Sequence, residues 1–126
     1  MPETPPIRVL IVEDDQSTRE GYSKYLALRG YDVLAAATGH EGLMLALGWT
    51  PHVVVLDLGL PDIDGWEVSR RLKSADRTTD VPIIALTGAS LTHERISAMR
   101  AGCDRHLAKP CTASDLIDAI ERCVTR

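Results

Sequence analysis

Four short segments carry residue types that could do chemistry together: Glu13-Asp14-Asp15, Asp57, Thr87-Gly88 and Lys109-Pro110. Each follows an apolar run, respectively Ile7–Val12, Val53–Leu56, Val81–Leu86 and Arg105–Ala108. Carboxylates brought to one place repel and raise one another's pKa unless a cation intervenes. A hard divalent ion removes the conflict, and Mg²⁺ is usually held by one or two carboxylates together with waters and a phosphate. A carboxylate able to attack phosphorus, a metal beside it, and a Thr and a Lys to hold phosphoryl oxygens would make a phosphoryl-transfer site. Each residue alone has a plainer reading. Asp15 suits a helix cap, Thr87 an ordinary strand-end hydroxyl and Lys109 a surface lysine. Their coincidence at the same end of four such runs points to a shared site.

The elements that must position these residues are legible in the pattern. With Val33–Ala37 the apolar runs number five, Arg105–Ala108 being the weaker, and the stronger ones are near-continuous and rich in β-branched residues rather than alternating. That is the pattern of strands covered on both faces. Pro82 fits only at the start of its strand. Between the runs the period becomes helical: Ala113, Leu116, Ile117, Ile120 and Val124 form the clearest stripe, with Val68, Leu72 and Ala75, and Tyr22, Tyr25 and Leu26, as shorter ones. Thr38-Gly39-His40-Glu41 reads as a capping box opening the second helix, Thr112 as a cap for the fifth, and Gly30 and Gly102 as helix stops. The pattern predicts an α/β, doubly wound (βα)5 flavodoxin-like fold, with a five-stranded parallel sheet and helices on both faces. In such a sheet ligands bind beyond the carboxyl ends of the strands, where the strand order reverses.

Composition narrows the function. The chain has 126 residues, 44% hydrophobic and 25% charged, which suits a single globular domain with one core. A formal net charge of −4 argues against direct nucleic-acid binding through a basic face. Arg70, Arg71 and Lys73 read as a solvated helix face. No apolar run approaches a membrane span, and the Pro-rich start has no signal-peptide core, so a cytoplasmic location is expected. Cys103, Cys111 and Cys123 lack metal spacing and read as free thiols. Residues 1–6 are expected to be a disordered lead-in and residues 7–126 the domain.

The chain resembles the receiver domain of two-component response regulators, the CheY-like family, over essentially its whole length. The matching pieces are Val12-Glu13-Asp14-Asp15 with Arg19 following, Asp57-Leu58-Gly59-Leu60-Pro61-Asp62-Ile63-Asp64-Gly65, Pro82 to Gly88, and Ala101-Gly102 leading to Lys109-Pro110. The resemblance implies that Asp57 is the phosphoacceptor, and that Mg²⁺ is held by Glu13, Asp14, Asp57 and the Gly59 backbone carbonyl. It implies Thr87 and Lys109 as partners of phosphoryl oxygens, and a cis peptide between Lys109 and Pro110. Gly65 is expected to turn with positive φ before the third helix, and Gly88 to leave room for the phosphoryl group. The partners implied are a sensor histidine kinase or histidine phosphotransfer protein, and a downstream protein docked on the face of helix 4, strand 5 and helix 5. A phosphorylation-dependent dimer is a further expectation. Such a domain promotes its own phosphorylation and dephosphorylation and turns over no external substrate.

The sequence departs from the family in three places. His106 stands where the switch residue is usually Tyr or Phe, Cys111 where Phe often follows Lys-Pro, and Gly59 and Ala89 where side chains commonly overhang the acyl phosphate. An imidazole at 106 would enter a buried position more easily when neutral, because its charged form resists burial. Two other classes compete. A Mg²⁺ phosphatase would want D-x-D after the first strand, where this chain has Glu13-Asp14-Asp15, and a flavodoxin-type binder would want a Ser/Thr/Gly-rich loop there. A stand-alone receiver, with Met1 in its favour, a relay intermediate and a domain of a larger regulator or hybrid kinase all remain open.

Overall fold

The structure is a computed structural model that describes residues 5–88 and 102–124. Strands β1 (Arg8–Val12), β2 (Asp32–Ala36), β3 (Val53–Asp57), β4 (Ile83–Thr87) and β5 (Arg105–Ala108) form one sheet. Helices α1 (Gln16–Leu28), α2 (Gly39–Trp49), α3 (Gly65–Ser74) and α4 (Ala113–Val124) are the four among the described residues. All strand pairs are parallel, in the order β2-β1-β3-β4-β5. The expected helix between β4 and β5, residue Ala89 and residues 1–4 of the expected lead-in lie outside the described residues. The fold is the doubly wound α/β sheet read from the sequence, and its order reverses between β1 and β3.

The two faces account for the near-continuous apolar runs. Leu10, Val12, Val54, Leu56, Ile83 and Ala85 point to one core with Leu43 and Ala46 of α2 and Val68 and Leu72 of α3. Their strand neighbours Val9, Ile11, Val53, Val55, Ile84 and Leu86 point to the other, with Leu26 of α1 and Leu116, Ile117 and Ile120 of α4. Successive side chains of a strand face opposite ways, so a strand buried on both sides has no polar position to spare. Each fully buried Val, Leu or Ile contributes about 1.5–3 kcal/mol of transfer free energy.

The helix ends follow the local signals. Thr38 Oγ1 accepts the Glu41 N–H at 3.1 Å, and Glu41 Oε1 accepts the Ala37 N–H at 2.9 Å. Thr112 and Asp115 cap α4 reciprocally at 3.0 and 3.2 Å. Gly30, at φ +94°, closes α1, with its own N–H on Ala27 O and that of Tyr31 on Leu26 O, both at 3.1 Å.

Three expectations are corrected. Gly65 does not have positive φ; among the described residues only Gly30 and Gly102 of the glycines do. Glycine is required at 65 by close approach instead, since a Cβ there would meet Leu58 Cα at 2.6 Å and Asp57 O at 2.9 Å. Tyr25 is exposed, because the shorter α1 stripe needs only Leu26 and the half-buried Tyr22 to cover the sheet. Lys73 does not belong to the solvated basic group. Its ammonium is 3.1 Å from Asp104 and donates to Val81 O at 2.9 Å, while Arg70 and Arg71 do pair with Glu67 on the surface.

The Gly65 contact yields a test. Both opposing atoms are backbone, so Gly65→Ala must shift the segment that follows β3. The expected loss is about 1–3 kcal/mol, read as a lower urea midpoint at unchanged slope. An unchanged midpoint would show that the α3 start can move away freely.

Candidate functional site

The switch point between β1 and β3 brings the sequence-selected residues together. Glu13 directly follows β1 and extends it by one rung, its N–H donating to Ala36 O at 3.0 Å. Its side chain is buried, with Oε2 accepting the Asp15 N–H at 3.1 Å. Asp14 is exposed beside it, and Asp57 ends β3 with only 5% of its surface accessible. Ligand oxygens of Glu13, Asp14 and Asp57 all lie within 4.8 Å of one another.

Lys109 is the cation of this cluster. Its Nζ is 3.1 Å from Glu13 Oε1 and 3.3 Å from Asp57 Oδ2. The Lys109–Pro110 peptide is cis, as expected, and the Lys109 N–H donates to Thr87 O at 2.7 Å, tying the ends of β4 and β5. Thr87 is buried, and its hydroxyl makes a long 3.5 Å contact with Leu107 O. A hydroxyl so weakly held is available to another acceptor. The Gly59 N–H donates to Asp57 Oδ1 at 3.1 Å, so the two Asp57 oxygens have different partners. An open cavity of about 670 Å³ beside Asp57 is lined also by Gly59, Trp66 and Gly88. A Cβ on Gly88 would meet nothing within 4 Å, in keeping with the room expected there.

The electrostatics follow from this crowding. Burial pushes the Glu13 carboxyl up, helped by the Asp57 charge, while the Asp15 N–H and Lys109 act against it. Burial alone would pull the Lys109 ammonium down, but its contact with Glu13 and the Asp57 charge outweigh this and raise it. Glu13 Oε1 is buried and accepts no well-aligned hydrogen bond despite its proximity to Lys109. A buried carboxylate oxygen left in this state, two further carboxylates within reach and an all-oxygen donor set fit a hard divalent cation.

Asp15 serves as the N-cap of α1, accepting from Thr18 N at 2.9 Å and Thr18 Oγ1 at 2.7 Å, the plainer of its two readings. His106 stands apart from the cluster. It is half-buried on the edge strand β5, opposite Ala85, and lines a cavity of about 510 Å³ with Leu107, Asp118, Ala119 and Arg122. Two residues of the site carried no role in the sequence reading. Arg19 donates to Glu13 O at 3.0 Å and to Asp14 O at 3.3 Å, clamping the acidic loop from one turn into α1. Asp62 ties the loop after Asp57 to α2. The signal for Arg19 was its place four residues after Asp15; for Asp62 no local signal exists.

Comparison with known proteins identifies the family and agrees with the fold. A family model described as the response regulator receiver domain matches residues 9–121. The response regulator MprA of Mycolicibacterium vanbaalenii is 39% identical over 112 residues, covering 89% of this chain and 48% of the relative. The DNA-binding dual master transcriptional regulator RpaA of Synechocystis is 34% identical over 119 residues, covering 94% of this chain and 49% of the relative. The chain thus spans about half the length of these curated relatives. Among solved structures, the chemotaxis response regulator CheY4 of Vibrio cholerae superposes with a TM-score of 0.90 at 27% identity, covering 94% of this chain and 99% of that one. The receiver domain of a sensor histidine kinase from Pseudomonas aeruginosa, with a magnesium ion coordinated in its active site cleft, gives 0.88 at 28% identity, covering 96% and 99%.

The lysine contacts predict a pH-dependent loss. In Lys109→Met, Glu13 and Asp57 face each other uncompensated, and the already raised Glu13 carboxyl is pushed up further. A carboxyl raised in the folded state contributes stability that is present below its unfolded pKa, near 4.5 for Glu13, and lost as pH rises through the folded value. In metal-free buffer the variant should therefore be about 1–3 kcal/mol less stable than the parent at pH 7.5, after discounting for partial exposure, with a smaller deficit at pH 5. Urea titrations at the two pH values check this, and equal deficits would contradict it.

Proposed function

The chain belongs to the response regulator receiver domain family, and from that premise we propose that it is a phosphorylation-dependent signalling switch with Asp57 as acceptor. The observation that supports this most is the convergence of Lys109 Nζ on both Glu13 and Asp57 within a three-carboxylate cluster at the carboxyl edge of the sheet. In the proposed reaction an Asp57 carboxylate oxygen forms a bond to the phosphorus of a partner's phosphohistidine. The phosphorus–nitrogen bond breaks, and the departing imidazole nitrogen keeps the electron pair. Lys109 exchanges its carboxylate contacts for a phosphoryl oxygen, and the Thr87 hydroxyl, weakly engaged with Leu107 O, donates to another. Glu13, Asp14, Asp57 and the Gly59 carbonyl would hold Mg²⁺, which when bound offsets the negative charge that gathers during transfer. Arg19 holds the backbone of the two acidic residues in place. The family's members are signalling switches, which supports a switch rather than an enzyme with external turnover.

The proposed donors are a sensor histidine kinase or histidine phosphotransfer protein, and the proposed output is a protein contact on the face that includes β5 and α4. A second reading is supported by the length comparison: relatives about twice as long are regulators, and on that reading the chain is the receiver module of a longer protein of that kind. The acceptor chemistry is the same in both.

With a small acyl phosphate donor and Mg²⁺, the protein should gain one phosphoryl group detectable by intact mass. Asp57→Asn should abolish it, and a phosphoryl group retained in that variant would refute the assignment. Mg²⁺ at a hundredfold its Kd should stabilise the parent by about 2.7 kcal/mol. Asp14→Ala should lose most of this and phosphorylate far more slowly; full Mg²⁺ stabilisation in Asp14→Ala would remove Asp14 from the metal site.

A further inference from the structure

The first turn of α2 has backbone N–H groups that no residue of its own helix can satisfy. Thr38 Oγ1 takes that of Glu41. The other two come from Gly39 and His40, and both donate to Asp62, at 2.8 Å to Oδ1 and 2.9 Å to Oδ2. Asp62 lies in the β3–α3 loop, 23 residues after Gly39. A single carboxylate therefore caps a helix to which it does not belong. Although burial pushes the Asp62 carboxyl up, the N–H groups of His40, Gly39 and Ile63 outweigh that and hold it at about 2, so it stays ionised at neutral pH. His40 Nε2, 3.9 Å from Asp62 Oδ2, lies on the same side.

The same loop reaches the acceptor at its other end. Gly59, three residues before Asp62, donates its N–H to Asp57 Oδ1. Between these anchors the chain is short, so a change at one end must be felt at the other. Contact with α2 is close: a Cβ on Gly39 would meet Ile63 Cγ1 at 3.2 Å and Asp62 Oδ1 at 3.4 Å.

We propose that Asp62 is a positioning residue for the Asp57 site: by tying the β3–α3 loop to the N-terminus of α2, it fixes Gly59 against Asp57 and thereby sets the affinity for the divalent cation. This rests on the reading of the site given above. The plainer role, a cap that stabilises α2 and nothing more, makes a different forecast. Thr38→Ala removes a capping bond from the same helix end without touching the loop, so it serves as the control.

The experiment is an equilibrium Mg²⁺ titration of the full chain by calorimetry, with fluorescence of Trp66, which lines the Asp57 cavity, as a second readout. Parent, Asp62→Ala, Asp62→Asn and Thr38→Ala are compared, with urea midpoints measured in parallel. Asp62→Ala should weaken Mg²⁺ binding about tenfold, as loss of a ligand-orienting partner does. Asp62→Asn, which keeps one acceptor oxygen, should fall between and covers the case where the alanine variant fails to fold. Thr38→Ala should lower the urea midpoint while leaving the Mg²⁺ Kd within about twofold of the parent. Equal Kd changes in the Asp62 and Thr38 variants, or none in the Asp62 variants, would overturn the proposal while leaving the metal site intact. A parent that does not bind Mg²⁺ at all would overturn the underlying reading and this inference together.

Discussion

The Lys109 ammonium, 3.1 Å from Glu13 and 3.3 Å from Asp57, is the contact on which the rest of the site depends. A parallel sheet that reverses order between β1 and β3 leaves a crevice at that point, and here the crevice is filled with acid. Glu13 is fully buried and Asp57 nearly so, and neither could remain charged there without compensation. Lys109 reaches them from β5, two strands from β3 in the sheet order. Three carboxylates against one ammonium still leave excess negative charge. A divalent cation would cancel that excess, which is why the cluster suits a metal better than it suits its own ion pair.

That balance requires the supporting loops to be held. Arg19 grips the Glu13 and Asp14 carbonyls from α1, Gly59 orients one Asp57 oxygen, and Gly65 lets the start of α3 lie directly on the Asp57–Leu58 backbone. These devices sit on both faces of the sheet, since α1 packs on one core and α2 and α3 on the other. The site is thus a seam between two cores, and each side fixes its own half of the acidic cluster.

The sequence revealed what depends on period and local chemistry. The central strands β1, β3 and β4, buried on both faces, give apolar runs that no surface segment imitates. The edge strands β2 and β5 were visible as weaker runs, Arg105–Ala108 matching to the residue. Thr38, Thr112 and Gly30 are local signals and acted as such. Asp57, Glu13, Asp14 and Lys109 were legible because each lies at or just beyond the carboxyl end of a strand, and parallel strands place those ends together. What remained hidden depends on pairs far apart in sequence. Lys73 looked solvated because Asp104 and Val81 O are met only through the fold. Gly65 suggested positive φ because the close approach of its own upstream backbone leaves no mark in composition. Asp62 looked like one more polar turn residue, since its partners precede it by more than twenty positions.

Strand β5 connects the acidic cluster to the opposite surface. It has four residues, lies at the sheet edge and ends one residue before Lys109, with His106 second in it. Along β5 only His106 and Leu107 are even half-buried. The Lys109 N–H on Thr87 O joins this strand to the end of β4, whose hydroxyl is weakly held. The strand that carries His106, and the cavity His106 lines with α4, thus share one element with the residue next to Lys109.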